Sequence, residues 1–375
     1  MARKKTCRKR NYRTIKKRNT TNIKRIPKPE PLPKRKVKPH ISLANADITT
    51  KTLNYAACPS NVTKLRFPIT AYESFKYKFV NYDEIEEYLK KMEKNYPGKF
   101  RLEILGDSIE GRPIYLAAIS DGSGDNRKML TLVEAGSNAC DWLAISSALY
   151  LVDFLTRDSN LVKLTDYYIL PCSNPDAYHK CVRGEKFNTN DIPINLSNNF
   201  PILLGTTPVE GISTKEFLKA MEVWKRNVKF SSPTTKAIFR AATCSKLAIQ
   251  LFISLQEEGN HIVYPFGFCN RCIPDKEDLK VVANSGKRSL KKLKVHVGSI
   301  YEFNGLTYGS VIDFLKFSFN HIKFMYIFHI RDKGKKPHIK DILVYGEDVL
   351  NCVKSMARNV YMYYNKEKIN KVQCT

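Results

Sequence analysis

Hydrophobic and polar residues recur along most of the chain with the periods of helices and strands. Between Tyr82 and Tyr96 the apolar side chains fall at positions i, i+3, i+4 and i+7, and the residues between them are charged. This pattern predicts an amphipathic helix, which the dipeptide Pro97-Gly98 ends. Met129–Ala135 is an apolar run, as expected of a strand buried on both faces of a sheet.

Further segments of both kinds follow along the chain. Two predicted strands flank a turn at Glu110-Gly-Arg-Pro113. The remaining predicted strands and helices are Lys99–Ile104, Ile114–Ile119, Tyr167–Pro171, Ser245–Ile253 and Phe324–Ile330 as strands, and Leu143–Phe154 and Val349–Tyr364 as helices. Strands separated by helices predict one α/β domain with a mixed sheet, which we place at residues 68–375.

The first 67 residues have a different composition. Residues 1–40 contain 17 Lys and Arg but a single acid, Glu30, and so carry +16 of the chain's net charge of +27. Five prolines between Pro27 and Pro39 favour an extended chain. We therefore predict that residues 1–67 form a disordered basic tail and linker.

A block of like charge is often an interaction tail. For residues 1–40 we expect an acidic partner, which is an import receptor, a nucleic acid or an acidic protein surface; Lys34-Arg-Lys-Val-Lys38 looks like a nuclear-import signal. The alternative is an extension that serves only solubility.

Composition narrows the class of protein further. With 43% hydrophobic residues in 375, the chain can bury a core, and no run of 18 apolar residues is present, so no membrane-spanning helix is expected. The N-terminal region lacks the apolar stretch of a secretory signal, which predicts an intracellular protein, nuclear or cytoplasmic. The ten cysteines are then expected to be free thiols.

Short signatures in the folded part resemble those of the zinc metallocarboxypeptidase family, the carboxypeptidase A/B-like peptidases. They occur in the family's order, from about residue 72 to the C-terminus: Tyr82-Asp-Glu-Ile-Glu-Glu87, Glu110-Gly-Arg-Pro-Ile-Tyr115, Ser173-Asn-Pro-Asp-Ala-Tyr178, Tyr264-Pro-Phe-Gly267, Ile273-Pro-Asp275, Gly298-Ser-Ile300 and Ile330-Arg-Asp332. The resemblance implies a single domain with a mixed, mainly eight-stranded sheet, helices on both faces, and an active site at strand ends.

The same resemblance places the family's zinc ligands on unusual residues. The family holds zinc with two His and one Glu; the matching positions here are Asn138, Asp141 and Gln256. Amides are poor zinc ligands, so the resemblance implies no metal and no other cofactor at this site.

The other catalytic positions of the family are also changed. The general base aligns with His329, the substrate-binding Arg with Cys140, and the down-swinging Tyr with Gly305. Arg183 or Lys186 can stand in for the transition-state Arg. Two further parts of the family's substrate pocket can be aligned. The residues that bind the substrate's terminal carboxylate align with Ser197 and Asn198, and the residue at the base of the side-chain pocket aligns with Ile312.

Four weaker features remain. Cys140 and His329 both face the implied site, which allows a thiol nucleophile, although a buried Cys near a neutral His is the commoner arrangement. Cys269 and Cys272 are interpreted as loop thiols. The other histidines (His261, His296, His321 and His338) are interpreted as surface or packing residues, and the basic stretch 287–294 as a solvated helix face that can extend the tail's binding surface.

Three functions follow from this interpretation. The first is a catalytically inactive carboxypeptidase-like protein that acts as a binding or structural module, with a possible peptide in the remnant cleft. The second is an active zinc metallocarboxypeptidase that releases apolar C-terminal residues. The third is a nucleic-acid-binding protein whose basic tail dominates binding. Zinc is expected as a cofactor only in the second case.

Overall fold

The computed structural model describes residues 71–123, 128–185, 196, 198–200, 232–243, 249–268, 270, 273–319 and 322–373. All of them belong to one compact unit, Lys51–Thr375. The predicted tail and linker, residues 1–67, lie outside the described residues. Among the described helices, none has the length and apolar character needed to span a membrane.

Seven strands form one mixed sheet. Their bounds are Phe100–Asp107 (β1), Pro113–Ile119 (β2), Met129–Ala135 (β3), Thr165–Leu170 (β4), Ile249–Tyr264 (β5), His296–Ser299 (β6) and Phe324–Arg331 (β7). β1 and β2 pair antiparallel, as do β2 and β4, whereas β3 runs parallel to β4 and to β5. The predicted mixed α/β sheet is confirmed.

The long strand β5 passes through the sheet twice. The first arm, which ends before Gly259, runs parallel to β7 and pairs with it from Leu251 opposite Phe324 to Gln256 opposite His329. After Gly259, which has a φ of +128°, the second arm returns along the other side of β7, with His261 opposite His329. Seven strands therefore fill the eight sheet positions that the family resemblance implies.

Eight described α-helices flank this sheet. They are Tyr82–Asn95 (α1), Trp142–Arg157 (α2), Pro175–Val182 (α3), Pro233–Thr243 (α4), Lys276–Ser289 (α5), Ile300–Asn304 (α6), Val311–Ser318 (α7) and Asp341–Gln373 (α8); two 3₁₀ segments are Ala71–Lys76 and Ser159–Val162. The predicted helix α1 begins with a capping box, in which Asn81 and Glu84 exchange backbone and side-chain hydrogen bonds of 2.9 Å.

Two hydrophobic clusters cover the two faces of the sheet. Apolar side chains of α1, α2, α5 and α8 form one cluster, and those of α4 and α7 form the other. Successive residues of β3 alternate between them, since Leu132 belongs to the second cluster and Val133 to the first. Helices therefore lie on both faces, and β3 is buried throughout as predicted.

The last helix is longer than its sequence pattern predicts. α8 begins at Asp341, eight residues before the predicted start at Val349, and Ile342 in its first turn is fully buried whereas Leu343 and Val344 are exposed. Gly346 also permits a close approach of α8 to α2: a Cβ atom at this position would lie 2.6 Å from Cγ of Tyr150.

Candidate functional site

The candidate site lies where the carboxyl ends of β3, β4, β7 and the first arm of β5 meet at one edge of the sheet. This is the edge at which α/β folds usually carry their sites. β3 is followed by Gly136, with a φ of +77°, where a Cβ atom would lie 3.0 Å from Ile145 and 3.2 Å from the backbone of Cys172. Glycine is therefore required at this turn, which directs Asn138 and Asp141 to the start of α2.

Asn138 and Asp141 are bound to each other. The Asn138 amide Nδ2 donates to Asp141 Oδ2 over 3.0 Å. The buried Asp141 carboxyl also accepts a hydrogen bond from the backbone N–H of Glu257, the residue after Gln256. These contacts bring the three sequence-predicted positions Asn138, Asp141 and Gln256 into one neighbourhood.

Gln256 belongs to a second set of hydrogen bonds around Glu134. Its amide Nε2 donates to Ser254 Oγ over 3.3 Å. The hydroxyls of Ser254 and Ser173 each donate to the Glu134 carboxyl over 2.7 Å. Glu134 is 1% exposed, so these hydroxyls replace the water that its carboxyl loses on burial.

The carboxylate of Glu257, a residue of β5, lies at the start of α2. The N-cap residue of α2 is Asp141, but its side chain makes no capping hydrogen bond; instead the backbone N–H of Leu143 donates to Glu257 Oε1. The other carboxyl oxygen of Glu257 accepts from Arg331 Nε over 2.8 Å, and both side chains are buried. A carboxylate from β5 thus satisfies an orphan donor of the helix and pairs with a cation from β7.

Glu134, Asp141 and Glu257 form a buried carboxyl cluster. Burial raises the pKa of all three, and that of Glu257 reaches about 7 although Arg331 opposes the shift. The charge of Glu257 further raises the pKa of Asp141. Sequence reasoning missed Glu134 and Glu257 because neither belongs to a recognised motif. For Glu134 a signal was available, namely an acid inside an apolar run, whereas Glu257 stands between Gln256 and Glu258 and gave none.

His329 lies opposite Gln256 in the sheet and is 8% exposed. Its ring packs against that of His261, with centroids 4.5 Å apart. Burial and the neighbouring His261 lower the pKa of His329 to about 3. The imidazole is therefore neutral at physiological pH and is a weak base.

Cys140 forms a disulfide with Cys181 of α3, with 5.7 Å between their Cα atoms. The prediction that these cysteines are free thiols is wrong for this pair. The hypothesis of a thiol nucleophile at Cys140 is therefore wrong as well, because the sulfur is in a disulfide. The sequence did not reveal the pairing because the two residues are 41 positions apart and meet only when α3 packs beside the loop before α2. Cys172 and Cys352 are free and buried, as predicted.

The remnants of the implied substrate pocket are spread over different environments. Asn198 and Gly305 are exposed, whereas Ile312 is fully buried in the second hydrophobic cluster. Arg183 is exposed and pairs with Glu185 over 2.6 Å. Ser197, Lys186, Cys269, Cys272 and His321 lie outside the described residues.

The remaining histidines lie at the surface or pack against neighbours, as predicted. His296 and His338 are exposed, and the half-buried His261 stacks on Phe303 with ring centroids 4.6 Å apart. Within the described part of the chain, no group of three His, Cys, Asp or Glu side chains is arranged to hold a metal ion.

The chemistry of the implied ligand positions does not fit zinc. Asn138 and Gln256 offer neutral amide oxygens, and their amide nitrogens already donate within the protein. The Asn138 Oδ1 atom is buried without a hydrogen-bond partner, but an amide oxygen is a far weaker zinc ligand than imidazole. Asp141 is the single carboxyl group of the three, and its raised pKa favours the protonated form.

Comparisons with known proteins identify the family to which this fold belongs. The model of the zinc carboxypeptidase family matches residues 85–352. Human carboxypeptidase B2 is 23% identical over 236 residues, or 59% of this chain and 54% of that protein. Bovine carboxypeptidase O is 24% identical over 326 residues, or 81% of this chain and 84% of that protein. The chain thus spans about half the length of the first relative and most of the second.

A solved structure shows the same fold. Bovine thrombin-activatable fibrinolysis inhibitor, in complex with tick carboxypeptidase inhibitor, superposes with a TM-score of 0.63 at 23% identity, covering 76% of this chain and 98% of that one. The order of the sheet, the helices on both faces and the family match agree. The chain belongs to the zinc carboxypeptidase family.

Proposed function

We propose that this protein is a catalytically inactive carboxypeptidase-like protein that acts as a binding or structural module. One observation carries the proposal: Asn138, at a position where the family has a zinc ligand, donates its amide to Asp141, at another such position. Two side chains that would both have to coordinate the metal ion are instead hydrogen-bonded to each other.

The other catalytic positions support the same conclusion. A general base must accept a proton near neutral pH, and the imidazole of His329, with a pKa of about 3, is poorly suited to this. Gly305 has no side chain to deliver a hydroxyl. Asn198 cannot grip a carboxylate as the bidentate guanidinium of an Arg does.

In this proposal the binding function has two parts. The basic residues 1–40 contact an acidic partner, and the remnant cleft at the sheet edge holds a peptide or is filled by its own hydrogen bonds. In this proposal the protein needs no cofactor. Without an arginine clamp, a bound peptide gains little from a free C-terminal carboxylate.

Family membership favours one alternative, an active zinc carboxypeptidase. The apolar Ile312, at the pocket-base position, suits a peptidase that releases apolar C-terminal residues. This alternative requires zinc at a site with a single carboxyl group and two amides.

Zinc content and peptidase activity of the purified full-length chain test the proposal. We expect negligible zinc after incubation with the metal and removal of the excess, because amides bind zinc weakly. The matched control is the variant Asn138→His/Asp141→Glu/Gln256→His, which restores the family's ligands and is expected to retain close to one zinc per chain.

The activity assay uses a peptide with an apolar C-terminal residue, and circular dichroism checks that both proteins are folded. Near-stoichiometric zinc in the unmodified protein, together with release of the C-terminal residue, would establish the alternative instead.

A further inference from the structure

Two segments of the described structure are rich in exposed cations: the last turn of α5 with the loop that follows it, and the loop before α8. The first, residues 287–294, holds five basic side chains and no acid: Lys287, Arg288, Lys291, Lys292 and Lys294. The second, residues 332–340, holds four lysines: Lys333, Lys335, Lys336 and Lys340. All nine side chains are exposed. We call these nine residues the basic edge.

The topology of the sheet brings the two loops together. The first loop leads into β6, whose first residue, His296, lies opposite His261. His261 in turn lies opposite His329, near the end of β7, from which the second loop departs. Neighbouring strands are about 4.8 Å apart, so the start of β6 and the end of β7 are separated by roughly 10 Å. Both loops therefore leave the same edge of the sheet.

Helix α8 fixes the two loops against each other. The buried Asp348 of α8 accepts hydrogen bonds from the backbone N–H groups of Lys291, Lys292 and Leu293, at 2.8, 2.8 and 2.6 Å. The second loop runs directly into the first turn of the same helix, at Asp341. Seven residues of helix span about 10 Å, so one rigid element holds both groups of cations.

Few acids balance this charge. Lys291 pairs with Glu347 at 2.5 Å, and Lys335 pairs with Asp332. The other seven basic side chains make no ion pair with a described residue. Three further acids lie close: Asp341 and the buried Asp348 in α8, and the exposed Glu258, whose carboxylate is 3.8 Å from Arg331. The basic edge therefore keeps a clear positive excess.

We propose that the basic edge binds the phosphate backbone of double-stranded nucleic acid. Duplex DNA carries one negative charge per about 1.7 Å of its axis, and a dense group of cations gains affinity by releasing the counterions of such a polymer. Eight of the nine side chains are lysines, which contact phosphates as point charges. Neither loop contains a Phe, Tyr or Trp residue on which an unpaired base could stack, and the one imidazole, that of His338, offers a small ring, which favours a duplex over a single strand.

This surface is separate from residues 1–40, and its binding does not depend on the loss of catalysis. The backbone hydrogen bonds to Asp348 hold the first loop in place before binding, which reduces the entropic cost of binding. The contacts are to phosphates, so binding is independent of base sequence and depends steeply on salt. The overall charge of +27 and the isoelectric point of about 9.6 fit the same kind of partner.

The experiment measures binding of a fluorescent 20-base-pair duplex to the full-length chain by anisotropy, across a salt series. The test variant is Lys292→Glu/Lys294→Glu/Lys336→Glu. The matched control, Lys94→Glu/Lys163→Glu/Lys236→Glu, makes the same charge change at exposed lysines on other elements. Sulfated heparin oligosaccharide and poly-glutamate of equal total charge serve as competing polyanions.

We expect the test variant to lose about 100-fold in affinity at 0.15 M salt and its log–log salt slope to fall by about 3, since each lost phosphate contact removes about one released counterion. The control variant keeps a slope within about 1 of the unmodified protein. Equal weakening of the two variants would overturn the proposal, because binding would then follow net charge alone. Tighter binding of the oligosaccharide or of poly-glutamate than of the duplex would overturn it as well.

A second variant, Lys292→Gln/Lys294→Gln/Lys336→Gln, guards against misfolding. It removes the three charges without adding acids and is expected to lower the slope by the same amount. Zinc binding and peptidase activity do not enter this readout, so the proposal fails or stands separately from the proposed function.

Discussion

At the scale of single residues, the main feature of the candidate site is a buried ion pair between a cationic side chain and a carboxylate. Arg331 is 7% exposed and Glu257 1%, and the two meet at 2.8 Å. Glu257 also accepts the backbone N–H of Leu143, so the pair joins β5, β7 and α2. Removing one partner of a buried pair leaves an uncompensated charge in a medium that solvates it poorly.

Replacing Glu257 with Gln is therefore expected to lower the free energy of unfolding by about 3–5 kcal/mol, measured by urea denaturation at pH 7. The control is Glu258→Gln: the side chain of Glu258 is 60% exposed and lies 3.8 Å from the same Arg331. Its loss is expected to change the unfolding free energy by less than about 1 kcal/mol. Equal effects of the two substitutions would show that the buried pair is not distinguished from the exposed one.

His329 makes a second residue-scale contribution, through pH. Its pKa of about 3 in the folded protein lies below the value of about 6.5 expected in the unfolded chain. Between these values the unfolded chain binds a proton that the folded protein does not. Stability is therefore complete above pH 6.5 with respect to this group, and it falls as the pH drops toward 3.

The variant His329→Phe removes this dependence. We expect its unfolding free energy to vary less between pH 6.5 and pH 4 than that of the unmodified protein, by up to about 1.4 kcal/mol per pH unit. The buried carboxyls have raised pKa values and act in the opposite direction, but both proteins retain them. His338→Phe, at an exposed histidine, is the control and should leave the slope unchanged.

At the scale of elements, the turn between β3 and α2 is the segment on which the site depends. It carries Asn138 and Asp141, and the disulfide from Cys140 ties it to α3. Its length and the Gly136 turn are visible in the sequence, but the attachment to α3 is not. The two elements meet because α3 follows β4, which lies beside β3 in the sheet.

Removing the disulfide with Cys140→Ser/Cys181→Ser is expected to lower the free energy of unfolding by about 4 kcal/mol, since the bond closes a loop of 41 positions. Thermal unfolding with and without reductant measures this. Reductant should lower the melting temperature of the unmodified protein to that of the variant and leave the variant unchanged. An unmodified protein insensitive to reductant, with Cys140 and Cys181 linked by mass spectrometry, would show that the bond adds little stability.

The same scale explains which elements the sequence could predict. α1 and β3 were predicted closely, because a charged helix face and an apolar run each follow from local period alone. The start of α8 was not, because Ile342 is buried by contacts with the domain rather than by a repeating pattern. The double passage of β5 was also missed, since the turn at Gly259 is recognisable only once β7 lies between the two arms.

At the scale of the whole molecule, charge is distributed unevenly over a conserved architecture. The fold is that of the zinc carboxypeptidases, and the loops at one edge of the sheet are strongly basic. Residues 287–294 were interpreted as a solvated helix face, and half of that stretch is in fact a loop that Asp348 holds by its backbone. The second basic loop is brought beside it by the sheet and by α8.

The sequence by itself determined the fold class and the family, because both follow from local period or from short motifs in order. That residues at the family's catalytic positions are replaced, and that Asn138, Asp141 and Gln256 are unsuited to zinc, are predictions from the same motifs. Only the tertiary structure decided what these side chains bind instead, that Glu134 and Glu257 belong with them, that Cys140 is bonded to Cys181, and that two distant basic loops share one edge. The physical reason is that these are contacts between residues far apart in the chain, and their partners are chosen by the packing of strands and helices rather than by any neighbour in sequence.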